Sequence, residues 1–193
     1  ARFLAKHRVP VAKPFLRTFF MVEQEIIVAE AQVSDAAALI ASMIQVAIET
    51  DFLDMDDQGF QPTLEQTQAI LARSQEEPNQ LCLLAKSGGR IVGLINVRTQ
   101  MPYRISHIGD IFMAVLKDYW GHGLGRILLE EVIVWAQEIG LLKRLELTVQ
   151  VRNERAVRLY QSCGFDIEGT QKRGARTDMG EWLDLYYMGR LID

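Results

Sequence analysis

Apolar and polar positions recur with two different periods along the chain, and these periods predict its strands and helices. Apolar runs, in places alternating with polar residues, predict strands. They cover Ile26–Ala29, Leu81–Lys86, Arg90–Thr99, Ile105–Val115, Arg144–Val151, Phe165–Lys172 and Glu181–Leu191. Apolar positions every three or four residues predict helices over Asp35–Glu49, Thr63–Glu76, Leu124–Ile139 and Asn153–Gly164. The order β-α-α-β-β-β-α-β-α-β-β indicates a mixed α/β domain.

Turn and cap residues agree with these boundaries. Ser34 and Thr63 precede the first two helices and are expected to be their N-caps, while Gly140 is expected to end the third. The sequence Ser87-Gly88-Gly89 predicts a tight hairpin turn between two strands. Gly109, inside an otherwise apolar run, indicates either a bulge or a close approach of another part of the chain.

Length and charge indicate one domain over residues 23–193. The chain has 193 residues, 49% of them hydrophobic, which is enough for one substantial core. Residues 1–22 contain basic side chains and no acid, so they are expected to be an extension outside the domain. The remainder is therefore more acidic than the total net charge of −4 indicates. An acidic surface of this kind disfavours binding of nucleic acid and accommodates a cationic amine. No apolar stretch predicts membrane insertion.

Cysteine and histidine usage argues against a metal or disulfide framework. Cys82 and Cys163 stand alone, without the spacing of a redox or zinc motif. The three histidines are scattered and pair with no cysteine at ligand spacing. A reducing, cytoplasmic location is therefore expected, and Cys163, next to a helix-ending glycine, is expected to be buried and structural.

The loop that precedes the third helix carries the clearest chemical signal. Gly121, Gly123 and Gly125 alternate with other residues directly before an amphipathic helix, so backbone N–H groups can surround an anion there. A dinucleotide fingerprint would need a glycine at Arg126, and a phosphate-binding P-loop would need Gly-Lys at Arg126-Ile127. Neither motif is present, which leaves another kind of phosphorylated ligand.

A second segment makes this signal more specific. The loop reads Tyr119-Trp120-Gly121-His122-Gly123-Leu124-Gly125, and a later helix reads Asn153-Glu154-Arg155-Ala156-Val157-Arg158-Leu159-Tyr160-Gln161-Ser162-Cys163-Gly164-Phe165. Together they resemble the acetyl-CoA-binding core of the GNAT N-acetyltransferases, in particular the branch with ribosomal-protein N-terminal and small-molecule acetyltransferases. The resemblance implies the GNAT fold, a mostly antiparallel mixed sheet flanked by helices. Trp120 departs from the family pattern, which usually has Arg or Gln at this position.

The resemblance implies how acetyl-CoA is bound. Amides from about His122 to Arg126 would contact the pyrophosphate, and the backbone of Met113 to Val115 would pair with the pantetheine arm. The side chains of Arg126 and protonated His122 could supplement the anion site, and Asn153 would contact the cofactor. The full expected cofactor site is Met113, Val115, Trp120, Gly121, His122, Gly123, Leu124, Gly125, Arg126, Asn153 and Tyr160.

The implied reaction is attack of a neutral amine on a thioester, which requires a general acid and a base. Tyr160 is expected to protonate the leaving thiolate, because a phenol with a pKa near 10 is protonated at neutral pH. Taken alone, Tyr160 could equally be an ordinary core tyrosine, and Asn153 an ordinary N-cap of its helix. Asp110 is the first candidate base and Glu146 the second. The alternatives are that each is merely a solvated or ion-paired carboxylate, and that a chain of water molecules serves as the base.

The resulting hypothesis is an acetyl-CoA-dependent N-acetyltransferase that acts on a primary amine by direct attack. The acceptor is a small molecule or a protein N-terminus, and its recognition is expected in the loops 51–62 and 173–180. The acids Asp51, Asp54, Asp56 and Asp57 there either attract a cationic amine or are merely solvated. The alternatives are a non-catalytic acyl-CoA sensor and a different nucleotide-binding enzyme. The aromatic last strand is a candidate homodimer surface.

Overall fold

A computed structural model describes residues 16–21, 24–53 and 62–193, and these residues are organised around one mixed sheet. Its strands are Leu16–Met21 (β1), Gln24–Glu30 (β2), Leu81–Ser87 (β3), Arg90–Thr99 (β4), Ile108–Val115 (β5), Arg144–Gln150 (β6), Asp166–Arg176 (β7) and Trp182–Leu191 (β8). The flanking helices are Ala36–Glu49 (α1), Leu64–Glu76 (α2), Leu124–Ile139 (α3) and Glu154–Ser162 (α4). From β2 onward, the order confirms the predicted α/β succession.

Among the described strands, the sheet has a single parallel pair, β5 and β6. The strand order is β1-β2-β3-β4-β5-β6-β8-β7, and every neighbouring pair is antiparallel except β5 and β6. Those two strands pair only from Ile108↔Arg144 to Asp110↔Glu146. Beyond this point each strand continues without the other, so a wedge-shaped gap opens in the middle of the sheet.

Strand β1 lies at the edge of the sheet, whereas the sequence placed residues 1–22 outside the domain. Leu16–Met21 pair antiparallel with β2 from Leu16↔Ala29 to Met21↔Gln24. The guanidinium of Arg17 also lies 3.2 Å from the carboxylate of Glu131 on α3. The end of the basic segment therefore belongs to the sheet, and residues 1–15 lie outside the described part of the chain.

The start of α1 differs from the prediction that Ser34 is its N-cap. A 3-10 turn, Val33–Asp35, precedes the helix, and Asp35 occupies the N-cap position. The carboxylate of Asp35 accepts the backbone N–H of Gln32 at 2.9 Å and the ammonium of Lys86 at 2.6 Å. Because the carboxylate makes both contacts at once, the N-cap of α1 lies one residue later than expected.

Two other predicted helix boundaries are confirmed. The Thr63 hydroxyl accepts the N–H of Gln66, whose side chain in turn accepts the N–H of Thr63, so the pair forms a capping box. Gly140 follows α3 with φ 63°, a left-handed conformation that glycine adopts with little strain.

Strand β5 begins at Ile108, three residues later than predicted, because residues 102–107 form turns instead. Gly109 confirms the close-approach alternative. A Cβ atom at this position would lie 2.8 Å from Cγ1 of Val97 and 3.0 Å from Cδ2 of Leu145. The β4–β5 register is regular through Gly109, so no bulge is needed.

The last two strands form a longer hairpin than predicted. Strand β7 continues to Arg176, with register shifts between Ile167 and Gly169 and between Gln171 and Ala175. Arg173 has φ 55°, and its N–H donates to the Asp184 carboxylate at 3.0 Å. These irregularities bend the hairpin, which brings part of it to the central gap.

Helix α3 packs on the sheet beside the gap. Gly93 of β4 makes this approach close, because a Cβ atom there would lie 3.3 Å from Leu124 and 3.4 Å from Leu128. Leu128, Val132 and Ala136 continue the buried stripe of α3 at four-residue spacing. The rigid contact between α3 and β4 positions the N-terminus of α3 at the end of β5.

Candidate active site

The gap between β5 and β6 opens into a cleft of about 460 Å³. Its walls come from residues 110–115 of β5 and 148–150 of β6, and the N-terminal parts of α3 and α4 lie at one end. Short segments after α1 and within the β7–β8 hairpin complete the lining. The cleft therefore joins the glycine loop, the diverging strands and the two regions expected to recognise an acceptor.

The glycine loop has the backbone geometry that an anion site requires. Gly121 has φ 79°, and Gly123, the N-cap residue of α3, has φ 88°. Both conformations are left-handed, and no side-chain cap occupies the first amides of α3. Those N–H groups and the positive end of the helix dipole are therefore directed to the same end of the cleft.

Gly125 has a different purpose from the two glycines before it. It lies inside α3, where a Cβ atom would be 3.2 Å from Cδ2 of Leu159 on α4 and 3.6 Å from Cε of Met113. The missing side chain lets α3 and α4 approach closely. As a result, the N-terminal ends of both helices border the cleft.

Trp120 closes the end of β5 with a hydrogen bond. Its indole Nε1–H donates to the carbonyl oxygen of Val115 at 2.7 Å. Trp120 thus makes a polar contact of its own. This contact was not predicted, because the sequence showed only that Trp120 replaces the usual Arg or Gln. The indole plane is fixed relative to the strand that leads into the glycine loop.

A row of aromatic and cationic side chains crosses the cleft at Trp120. The Arg155 guanidinium carbon lies 3.9 Å from the centre of the Trp120 ring. Trp120 also neighbours Phe52 at 6.5 Å between ring centres, and Arg152 lies 5.3 Å from the centre of Phe52. The row connects the segment after α1 with the start of α4.

The side chains of Arg126 and His122 are less available to an anion than expected. Arg126 Nη2 donates to the Ser162 hydroxyl at 2.6 Å, and Nη1 lies 3.3 Å from the Glu130 carboxylate. Nη1 also lies 3.8 Å from Sγ of Cys163, which is buried, as predicted. His122 is exposed and does not line the cleft, although Arg126 does.

Asn153 caps α4, which is the ordinary role considered for it. Its side-chain oxygen accepts the N–H of Ala156 at 3.2 Å. Asn153 also lines the cleft. Its amide NH2 group remains available for a ligand, so the cap and a cofactor contact are compatible.

Tyr160 is buried in the cleft wall with only 7% of its surface exposed. Its ring packs edge-on against Phe165 at 5.9 Å between ring centres. No residue within the described ranges hydrogen-bonds its hydroxyl. Burial raises the pKa of Tyr160 above the ordinary value for a phenol, because the charged form loses its hydration. The phenol is therefore protonated near neutral pH.

The two candidate bases occupy neighbouring positions in different environments. Asp110 lines the cleft, and its carboxylate lies 3.6 Å from the Arg98 guanidinium with 55% of the side chain exposed. Glu146 pairs with Asp110 across β5 and β6 but binds Arg144 at 2.8 Å and does not line the cleft. The geometry therefore favours Asp110 over Glu146.

The segment after α1 is held to the end of β6 by polar contacts. The backbone carbonyl of Asp51 accepts the side-chain amide of Gln150 at 3.0 Å, and its carboxylate lies 2.9 Å from Arg152. Asp51 thus pairs with a cation of the protein. The predicted acids Asp54, Asp56 and Asp57 lie outside the described residues.

Sequence reasoning missed Arg155 and Leu185 as residues that line the cleft. Arg155 stands in the quoted helix motif, two positions after Asn153, so its nearness to the α4 N-terminus was a usable signal. Leu185 reaches the cleft through the bent hairpin, whereas Phe52, Gly174 and Ala175 line it from within the two loops expected to recognise the acceptor.

No helix in the described part of the chain is long and apolar enough to cross a membrane. Across residues 16–21, 24–53 and 62–193 there is also no group of three or more His, Cys, Asp or Glu side chains that could hold a metal ion.

The cleft, with diverging strands as walls and the glycine loop at one end, has the form that suits an elongated, phosphate-bearing ligand. The sequence matches the profile of the acetyltransferase (GNAT) family over residues 43–165. The chain belongs to this family, and it is an acetyl-CoA-dependent N-acetyltransferase. The predicted GNAT fold and acetyl-CoA as co-substrate are thereby confirmed, and an enzyme is favoured over a non-catalytic sensor.

Individual relatives agree with this assignment. A GNAT-family acetyltransferase structure from Streptococcus pneumoniae is 46% identical, with TM-score 0.84, over 86% of this chain and 99% of that one. The L-amino acid N-acetyltransferase AaaT of Escherichia coli is 34% identical over 62% of this chain and 73% of the relative. The N-alpha-acetyltransferase RimI of Mycobacterium tuberculosis is 33% identical over 63% of this chain and 73% of the relative.

Proposed function

We propose that acetyl-CoA lies in the β5–β6 cleft with its pyrophosphate at the glycine loop and its thioester between the two strands. The observation that carries this proposal is the divergence of β5 and β6 directly beside the N-terminus of α3. Amides of residues 121–126 would surround the phosphates, because glycine conformations leave them uncovered. The acetyl group would then lie near Asp110 and Tyr160.

The open edge of β5 suits the pantetheine arm. Leu116 N–H donates to Val92 on β4, so in a trans peptide the Val115 carbonyl points away from β4 into the gap. Met113, two residues earlier, directs its N–H and carbonyl the same way. Trp120 already occupies the Val115 carbonyl. The N–H groups of Met113 and Val115 and the Met113 carbonyl are left for the amides of pantetheine.

Tyr160 is proposed to be the general acid. The amine nitrogen bonds to the carbonyl carbon, the C–S bond breaks, and the departing sulfur takes a proton from the phenol. The hydroxyl suits this role because no residue of the described chain engages it and because its raised pKa keeps it protonated. The buried environment disfavours a thiolate as well as a phenolate, so the transfer becomes balanced during the reaction.

Asp110 is proposed to accept the proton that the acceptor ammonium loses, directly or through water. It lines the cleft and lies on the strand that would hold the thioester. Arg98 neutralises part of its charge in the free protein. Because Asp110 is about half exposed, an incoming ammonium can reach it without disturbing the core.

The acceptor is proposed to be a primary amine on a small molecule or at a protein N-terminus. The names of the E. coli and M. tuberculosis relatives point to amino acids and to N-alpha groups. The test is an acetyl-CoA assay that monitors thiol release over a panel of amino acids, polyamines and short peptides. Acetylation of at least one class of primary amine is expected. Acetyl-CoA binding without turnover on any acceptor would contradict the proposal.

We also propose that the chain works in the cytoplasm. Its two cysteines are free and buried, which suits a reducing compartment. Fractionation of cells that produce the natural protein should recover it with cytoplasmic markers.

A homodimer through β8 is the proposed assembly. Trp182 and Tyr187 on this strand have 59% and 46% of their surfaces exposed. Light scattering should give twice the chain mass, and a charged residue in place of Trp182 should return it to the monomer value.

A further inference from the structure

The proposed cofactor site needs a side-chain cation as well as backbone amides. A pyrophosphate diester carries two negative charges, and guanidinium groups bind such oxygens in pairs. Among the residues that the structure describes, three arginines line the cleft: Arg98, Arg126 and Arg155. Their positions and partners differ, which allows them to be separated.

Arg98 and Arg126 are unsuited to the phosphate group. Arg98 pairs with Asp110, where β5 and β6 are still joined, away from the glycine loop. Arg126 begins near the loop, but its guanidinium contacts Ser162 and Glu130. Binding phosphate through Arg126 would require breaking both contacts.

Arg155 has no such competing partner. It belongs to the first turn of α4, and no carboxylate of the described residues pairs with it. Its guanidinium carbon lies over the Trp120 ring, 3.9 Å from the ring centre, and no described residue accepts a hydrogen bond from the group. The N–H donors lie in the plane of the guanidinium and stay free for a ligand. Partial desolvation against the indole lowers the pKa of Arg155, which an anion nearby would reverse.

Trp120 fixes where this cation lies. Its indole is anchored by the hydrogen bond to the Val115 carbonyl, and the next residue is Gly121. A guanidinium stacked on this ring is therefore held beside the start of the glycine loop. Trp120 orients Arg155 and touches the strand, so it is a positioning residue.

From this geometry we propose that Arg155, oriented by Trp120, binds the pyrophosphate of CoA and supplies the side-chain charge that the glycine loop lacks. The inference rests on the cofactor site proposed above. It assigns to Arg155 the selectivity for a phosphate-bearing thioester over one that ends at pantetheine.

The test is calorimetric titration of wild type and Arg155→Met with CoA, dephospho-CoA and pantetheine. A charged hydrogen-bond pair contributes enough that its loss should weaken CoA and dephospho-CoA binding about 10- to 100-fold. Pantetheine, which has no phosphate, should bind both proteins equally. Arg158→Met is the matched control, because Arg158 lies on the same helix, carries the same charge and pairs with Glu154 at 3.0 Å. It should change none of the three affinities more than about twofold.

Three results would overturn the inference. They are unchanged CoA binding in Arg155→Met, an equal loss for pantetheine, and a loss confined to CoA, which would assign Arg155 to the 3′-phosphate instead. A different result would show that the proposed CoA site itself is wrong. In that case the wild-type protein would bind CoA no more tightly than pantetheine.

A second pair of variants tests the role of Trp120. Trp120→Leu removes the ring face and should weaken CoA binding nearly as much as Arg155→Met, whereas Trp120→Phe keeps a face and should weaken it less. If Trp120 acts through Arg155, the double variant Trp120→Leu/Arg155→Met should bind CoA like Arg155→Met alone. Additive losses would show that Trp120 acts independently and contradict its positioning role. Thermal melting of each variant verifies that it is folded.

Discussion

The two ends of the cleft are built in different ways. At the proposed cofactor end, the glycine loop, the α3 N-terminus and the Asn153 cap are local structures, each formed by residues within a few positions of one another. At the proposed acceptor end, Asp51 contacts Gln150 and Arg152, about one hundred positions away, and the hairpin adds Gly174 and Leu185. A ligand common to a family can be bound by the first kind of structure. A variable ligand suits the second, because loops change without disturbing the core.

This contrast predicts that mutations at one end leave binding at the other intact, while residues at the junction affect only turnover. The largest effect is expected for Tyr160→Phe. Loss of a general acid should reduce kcat by about 100-fold or more, with little change in CoA affinity. Stopped-time thiol assays and calorimetry measure the two quantities.

The control for this variant is Tyr187→Phe, since Tyr187 hydrogen-bonds Gln171 on the exposed hairpin. It should retain wild-type kcat. Burial raises the pKa of Tyr160, so its phenol is protonated well past neutrality, and kcat should not fall through this group as pH rises from about 7 to 9. Wild-type kcat in Tyr160→Phe would remove Tyr160 from the chemistry.

The second effect concerns the cofactor end. Gly123→Ala places a methyl group at φ 88° in the glycine loop, and Gly140→Ala places one at φ 63° at the far end of α3. Neither Cβ atom meets an atom of the described residues within 4 Å, so both variants should lose about 1 kcal/mol of unfolding free energy from backbone strain. Only Gly123→Ala should also weaken CoA binding, by about tenfold, because the strain moves the amides that are proposed to contact phosphate. Equal CoA affinity in the two variants would contradict the loop assignment.

The third and smallest effect concerns the acceptor end. Arg152→Ala removes the ion pair to Asp51 and the stacking on Phe52. The pair is partly exposed, so stability should fall by less than about 1 kcal/mol. The loosened segment should raise the KM for the amine several-fold and leave the CoA affinity unchanged. Steady-state kinetics with each substrate varied in turn measures this, and a matching rise in the KM for acetyl-CoA would argue against separate ends.

The same contrast explains what the sequence could predict. The loop, the α3 start and the α4 cap were predictable because glycine and cap residues act on their immediate neighbours. Ser34 was misassigned because Asp35 has a distant partner, Lys86, that no local pattern reveals. Strand β1 was missed for a related reason, since its pairing with β2 and its contact from Arg17 to Glu131 are tertiary.

Side-chain orientation was the other limit. From the sequence, Arg126 and His122 were expected to supply a cation to the anion site and Arg155 was not, and only the packing distinguishes the two arginines. Gly125 lets α4 approach α3, and in that arrangement Ser162 and Glu130 engage Arg126 while Trp120 stacks with Arg155. Likewise, Asp110 and Glu146 were the first and second candidate bases from the sequence. Each forms an ion pair with an arginine, and only their positions separate them, because Asp110 lines the cleft and Glu146 does not.

Amide hydrogen exchange with and without CoA tests the central claim, that the cofactor lies along the open edge of β5 and against the glycine loop. Peptides that cover residues 113–115 and 121–126 should exchange more slowly when CoA is bound, because the pantetheine and phosphate oxygens would accept their N–H groups. The β7–β8 hairpin, at the acceptor end, should change little. Protection confined to the hairpin, with residues 113–115 and 121–126 unaffected, would contradict this account of the cleft.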